Sequence, residues 1–171
     1  FTALARMCDG LIVGNDRLKE HFAPMNQRIV VIPTCVDAEQ YPSRPDTDPN
    51  RSTIRIGWIG TPVNLTELQL VAPALRELSS KSAIELCLIS SRPPLADEID
   101  LAGIQVQFVP WSEKQAVASL HQCDIGLMPL RSDQPWNHYK CGLKLIEYMA
   151  VGLPAVASPV GVNTQIVTDE V

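Results

Sequence analysis

Residues 125–157 read IGLMPLRSDQPWNHYKCGLKLIEYMAVGLPAVA, and this stretch decides the fold class. Ile125–Met128 is an apolar run of strand length. A long polar loop, Arg131–Gly142, follows it. Leu143, Ile146, Met149 and Ala150 then recur at helical spacing and predict a helix with those residues on its apolar side. Gly152, with Pro154 close behind, stops that helix. Pro154–Ala157 reads as the next strand. Strand, helix and strand in succession are the alternation of an α/β fold.

The same alternation runs outward from this segment. Strands are predicted at Gly10–Val13, Ile29–Ile32, Ile54–Ile59, Ile84–Ile89 and Val106–Val109. Most are runs of Val, Ile and Leu without alternation, as in a parallel sheet covered on both faces. Leu65, Leu68, Ala72, Leu75 and Leu78 predict a helix that Pro73 should kink or split. Ser112-Glu113-Lys114-Gln115 has capping-box spacing ahead of a helix with Ala116, Val117 and Leu120 on its core face. The fold class is therefore α/β, a Rossmann-like parallel sheet with helices on both faces. Tyr41–Thr53, YPSRPDTDPNRST, has three prolines, mixed charge and no apolar period, and reads as a linker. A domain boundary belongs there: residues 1–45 end one domain and start the linker, and 52–171 form a second domain.

Composition agrees with a folded chain. Of 171 residues, 46% are hydrophobic and 19% charged, enough to bury a core without disulfide or metal staples. The net charge of −5 argues against general nucleic-acid binding, which needs a positive footprint. No stretch approaches the roughly 18 uninterrupted apolar residues of a membrane span. The chain begins at Phe1, so neither terminus is taken as a biological end. Cys8, Cys35, Cys87, Cys123 and Cys141 are an odd count without C-x-x-C or zinc spacing, which favours reduced thiols and a cytoplasmic setting.

Two loops could carry chemistry. On a helix beginning near Lys140, the side chains of Lys140, Lys144 and Glu147 would share one face. Arg131–Lys144 is locally basic, and Gly142 would let a ligand approach backbone N–H groups, a natural phosphate site. A solvated helix face with a Lys144–Glu147 ion pair explains the same residues. The second loop, GWIGTPVN (57–64), places Gly60 and Thr61 where the strand at Ile54 ends; it is not the dinucleotide fingerprint. A tight turn without a ligand is the alternative there. Other signals are weak. Asp46-Thr47-Asp48 resembles a metal-binding Asp-x-Asp but sits in the linker, and Asn64-Leu65-Thr66 is a formal glycosylation sequon. His121 and His138 lack ligand-spaced partners, and Trp111 would stack on a base or simply pack. No P-loop, G-x-S-x-G or H-E-x-x-H pattern is present.

Lys140–Val167, KCGLKLIEYMAVGLPAVASPVGVNTQIV, closely resembles the donor-site signature of retaining glycosyltransferases of the GT-B fold, the group 1, family 4-like enzymes. CDGLIVGNDRLKEHF and RIVVIPTCVDAEQY resemble the strand–helix–strand that closes that family's N-terminal domain. The resemblance implies the C-terminal half of a GT-B fold that binds a nucleoside-diphosphate sugar as donor substrate, with no cofactor and no metal. The intact enzyme would move the sugar, of hexosyl type, to an acceptor hydroxyl with retention, in polysaccharide or glycoconjugate biosynthesis. The acceptor (glycan, lipid or small molecule) and any peripheral contact with the inner membrane face would lie in the N-terminal domain. The 171 residues alone would bind donor weakly and transfer nothing.

Position by position, the resemblance implies that Glu147 holds the ribose hydroxyls. It implies that backbone N–H groups of Cys141, Gly142 and Leu143 meet the diphosphate, and that Gly60 and Thr61 lie near diphosphate and sugar. Pro110-Trp111 and Met128-Pro129-Leu130 would line the base pocket. The chain departs from the family pattern at Tyr139, where a sugar-binding glutamate normally stands, and in TPVNLTEL, which lacks the usual Arg and Lys. Lys140 and Lys144 are candidates to supply that charge to the leaving group. A GT-B sugar-nucleotide epimerase and a non-catalytic nucleotide-sugar-binding or scaffold domain are the alternatives.

Overall fold

The computed structural model describes residues 2–45, 51–95 and 97–168, so Asp46-Thr47-Asp48 lies outside the described residues. The first elements are α1 (Thr2–Met7), β1 (Leu11–Val13), α2 (Asp16–Phe22) and β2 (Ile29–Val31). Next come β3 (Ile54–Ile59), α3 (Ala72–Lys81), β4 (Ile84–Ser90), β5 (Val106–Pro110) and α4 (Glu113–His121). The chain ends with β6 (Ile125–Met128), α5 (Leu143–Ala150), β7 (Ala155–Ala157) and α6 (Asn163–Ile166). These elements form two compact units, one of residues 1–35, 132–143 and 159–171, the other of 36–131 and 144–158.

In the first unit β1 and β2 pair in parallel, Leu11 opposite Ile29 and Val13 opposite Val31, with α2 as the connection. Asn15 caps α2: its side chain accepts from the Leu18 N–H. That satisfies one donor of the open first turn.

The second unit is a five-stranded sheet in the order β5-β4-β3-β6-β7, every pair parallel. Counted from β3, this is the doubly wound order, in which the sequence of strands reverses between β3 and β6. Ligands in such sheets bind beyond the carboxyl ends of the strands at that switch point. The fold is thus the expected α/β, Rossmann-like parallel sheet flanked by helices. Its central strands are the continuous apolar runs: Ile56 to Ile59 in β3 and Leu86 to Ser90 in β4 are all buried. The edge strands β5 and β7 are more exposed.

The Leu65–Leu78 pattern divides as Pro73 requires. A 3-10 stretch covers Pro62–Leu70, and α3 begins at Ala72 with the proline in its first turn, where a missing N–H leaves no bond unmade. Leu65, Leu68, Ala72 and Leu75 pack with Ile56, Trp58, Leu86 and Leu88 in one core cluster. Each leucine or isoleucine among them contributes about 1.5–3 kcal/mol of burial.

Three local expectations are corrected. Ser112 precedes α4 but makes no side-chain cap, so the capping box is not formed; its backbone carbonyl accepts from Gln115 and Ala116 instead. Helix α5 starts at Leu143, and Lys140 has extended backbone, so Lys140 is not on a helical face with Lys144 and Glu147. The buried face of α5 is Leu145 and Tyr148, whereas Leu143 and Met149 are exposed. Gly152 ends the helix as read, at φ +71°. Among the described residues no helix is long and apolar enough to cross a membrane.

Candidate functional site

In the second unit the candidate residues gather around the end of β3. Gly60 follows the last residue of β3 and donates its N–H to Ile89 of the neighbouring strand, at 3.0 Å. A Cβ at Gly60 would stand 2.8 Å from Cε of Lys144 and 2.8 Å from Cη2 of Trp58. Only glycine leaves room for the lysine stem to cross here. The Lys144 ammonium lies 5.5 Å from the centre of the Trp58 ring, a cation–π contact. Thr61 opens the 3-10 stretch, and its hydroxyl accepts from the Asn64 amide at 2.9 Å.

Glu147, one turn along α5 from Lys144, receives the Tyr41 hydroxyl on Oε1 at 2.9 Å. Burial raises the Glu147 carboxyl above its ordinary pKa, while the Tyr41 hydrogen bond and the nearby Lys144 charge oppose that rise. Tyr41 is in turn pushed up to about 12, chiefly by burial and then by its bond to Glu147. Next along the helix, the buried Tyr148 hydroxyl donates to the Leu127 carbonyl at 3.0 Å and accepts from the Ile59 N–H at 3.3 Å. It ties α5 to both strands of the switch point.

The loop after β6 is held by side chains that accept from its backbone. Ser158 Oγ receives the Leu130 N–H, and the buried carboxylate of Glu67 receives the Arg131 N–H at 2.8 Å. The Met128 and Leu130 side chains are themselves buried. Trp111, beyond β5, is half exposed, and its backbone N–H donates to the Ser90 carbonyl at 2.8 Å.

In the first unit, Asn15 organises the other candidates. Its Nδ2 donates to the carbonyls of Tyr139 (3.0 Å) and Lys140 (3.3 Å) and lies 3.4 Å from Sγ of Cys141. Tyr139 stands edge-on to His21, and the Cys141 thiol packs where a Cβ on Gly14 would be. Gly142 has φ +73°, and a Cβ there would meet Cδ1 of Ile166 at 2.4 Å. The chain's own packing therefore demands this glycine, a reason apart from ligand approach. His138 places Nε2 2.8 Å from the Ser132 carbonyl and borders an open cavity of about 480 Å³ that Arg17, Glu20 and Thr164 also line.

Sequence reasoning selected Gly60, Lys144 and Glu147, which the structure brings together, and passed over Tyr41 and Trp58. Tyr41 sat in a segment of linker composition, and Trp58 read as one more apolar strand residue. Among the described residues no group of three or more His, Cys, Asp or Glu side chains gathers to hold a metal ion. All five cysteines are free thiols.

No curated protein matches the chain. The family model for glycosyl transferases group 1 matches residues 53–171, which takes in the whole five-stranded sheet, Gly60, Lys144 and Glu147. The chain belongs to the group 1 glycosyl transferases.

Proposed function

We propose that this chain binds a nucleoside-diphosphate sugar and serves in sugar transfer to an acceptor hydroxyl with retention of configuration. The observation that carries the reading is Lys144 lying across Gly60, 2.8 Å from where a Cβ would be. The first loop of the sheet lacks the Arg and Lys of the family pattern, and this contact brings a cation from α5 to that loop. Charge develops on the diphosphate as the sugar leaves, and a fixed cation stabilises it without reorganisation. Within the second unit, Glu147 accepts from the ribose hydroxyls, Gly60 and Thr61 lie near diphosphate and sugar, and Trp111 and the Met128–Leu130 backbone border the base. In the first unit, Lys140 and the backbone N–H groups of Cys141, Gly142 and Leu143 keep the anion-binding role that the family resemblance implies for them.

On this reading residues 1–45 end an acceptor-binding N-terminal domain and 52–171 form the donor domain. The protein acts in the cytoplasm, and residues 1–171 alone bind donor without transferring it. Tyr139 at the position of the family's sugar-binding glutamate favours a second reading, a non-catalytic nucleotide-sugar-binding module. Calorimetric titration of the full-length protein with UDP, GDP and ADP sugars, followed by a transfer assay, tests both. Binding with transfer supports the enzyme, binding without transfer the module, and no binding to any of the three sinks both.

A further inference from the structure

We propose that Tyr41 is a positioning residue for Glu147: by donating to one carboxylate oxygen it fixes that side chain and leaves the other oxygen to accept from the donor's ribose hydroxyls. The inference rests on the reading of Glu147 as the ribose ligand. The contact joins residues 106 positions apart at 2.9 Å.

The segment that delivers Tyr41 is braced on both sides. Before it, the Asp37 carboxylate caps a 3-10 turn over Ala38–Gln40 by accepting from the Glu39 N–H and the Gln40 amide, at 3.1 and 3.0 Å. Tyr41 closes that turn with its own N–H on the Ala38 carbonyl. After it, the Pro42 carbonyl contacts Nε2 of His121 at 2.8 Å. Arg44 donates its N–H to the Val151 carbonyl and its guanidinium to the Cys123 carbonyl, both at 2.9 Å. A hydroxyl carried on so constrained a segment sets the carboxylate's orientation rather than following it.

The bond also acts on charge. An ionised carboxylate is acceptor-only, whereas the protonated acid turns one acceptor into a donor, so the anion is the better partner for two ribose hydroxyls. Burial favours the protonated acid, and the Tyr41 hydrogen bond favours the anion. The other groups around the pair are Lys144, which favours the anion, Tyr148, whose ionisation Glu147 disfavours, and Glu113, which acts on Tyr41 from α4.

Tyr41→Phe in the full-length protein tests this, with two readouts. In the ligand-free protein, carbon-detected NMR titration of Glu147 should show its midpoint move to higher pH in the variant. In calorimetry with the nucleoside diphosphate that the wild type prefers, affinity should fall about tenfold. Its acid-side loss should also begin at higher pH. Against the 2′,3′-dideoxy analogue, which has no diol, wild type and variant should bind alike. An unshifted Glu147 midpoint with equal affinity for the ribonucleotide overturns the proposal alone. Wild type that binds no nucleotide, or binds ribose and dideoxyribose forms equally, overturns the reading of Glu147 and the proposal with it.

Discussion

The Lys144 ammonium stands 5.5 Å from the centre of the Trp58 ring, and Trp58 is itself 1% exposed within β3. The indole is therefore a fixed platform, and the lysine reaches the first loop of the sheet from a defined direction. On the proposed transferase reading, Lys144→Ala in the full-length protein should lower sugar transfer about 10²-fold, the loss seen when one preorganised charge-stabilising donor is removed. The cation–π contact it also loses is worth about 0.5–2 kcal/mol, so the melting temperature should move by only a few degrees. Lys140→Ala should also lower transfer far more than it lowers thermal stability, and steady-state kinetics beside thermal unfolding checks both variants. Wild-type turnover in both variants would sink the charge role.

Tyr148 is fully buried, and its hydroxyl serves two backbone groups, the Leu127 carbonyl and the Ile59 N–H. Tyr148→Phe keeps the ring and strands both partners away from water. The variant should lose about 1–3 kcal/mol of stability, read as a lower denaturant midpoint at unchanged slope.

Gly142→Ala meets two separate obstacles, the φ of +73° and Cδ1 of Ile166 2.4 Å from the new methyl group. A left-handed alanine alone costs about 1–2 kcal/mol. Equilibrium unfolding should show a larger loss than that. Adding Ile166→Ala should return the part due to the clash and leave the backbone part, so the double variant should be more stable than additivity of the two single changes allows.

Glu98 receives the Arg92 guanidinium on both carboxylate oxygens, at 2.8 and 2.5 Å, and the Leu95 N–H at 2.8 Å. The Arg92 bonds, then the Leu95 N–H, lower its pKa to about 2. A carboxyl depressed in the folded state contributes stability in full above its ordinary value, near 4.5, and loses it as pH falls toward 2. NMR titration should find Glu98 ionised down to the bottom of that window, and Arg92→Ala should return its midpoint toward the ordinary value.

Much of this architecture was legible because parallel central strands are continuous apolar runs. Ile54–Ile59 and Ile125–Met128 are strands at the bounds their composition predicts. Helix α5 shows where periodicity stops being informative. Leu143, Ile146 and Met149 form one stripe at a spacing of three, and Leu145, Tyr148 and Val151 form a second. The first is wholly aliphatic and the second carries a tyrosine hydroxyl, yet the second is fully buried. Tyr148 decides it, because its ring fills the core only where its hydroxyl finds partners, and those partners are main-chain groups on β3 and β6. Gly60 was read from its place at a strand end, and Glu147 from its helical spacing to Lys144 and from the family resemblance. Tyr41 was not, since its partner lies 106 residues away and its surroundings are proline-rich.

The fastening of residues 41–44 divides its demands unequally between side chains and main chain. Arg44 and His121 supply side-chain donors or acceptors, whereas Pro42, Cys123 and Val151 answer with main-chain carbonyls. Every amino acid carries that carbonyl. Substitutions at 42, 123 or 151 that respect the local packing leave the fastening intact, while a single change at 44 removes the guanidinium arm. The strap is thus written in both directions: Arg44 reaches out to one main-chain carbonyl and His121 reaches back to another, so each side contributes one side chain whose partner is free to vary in sequence.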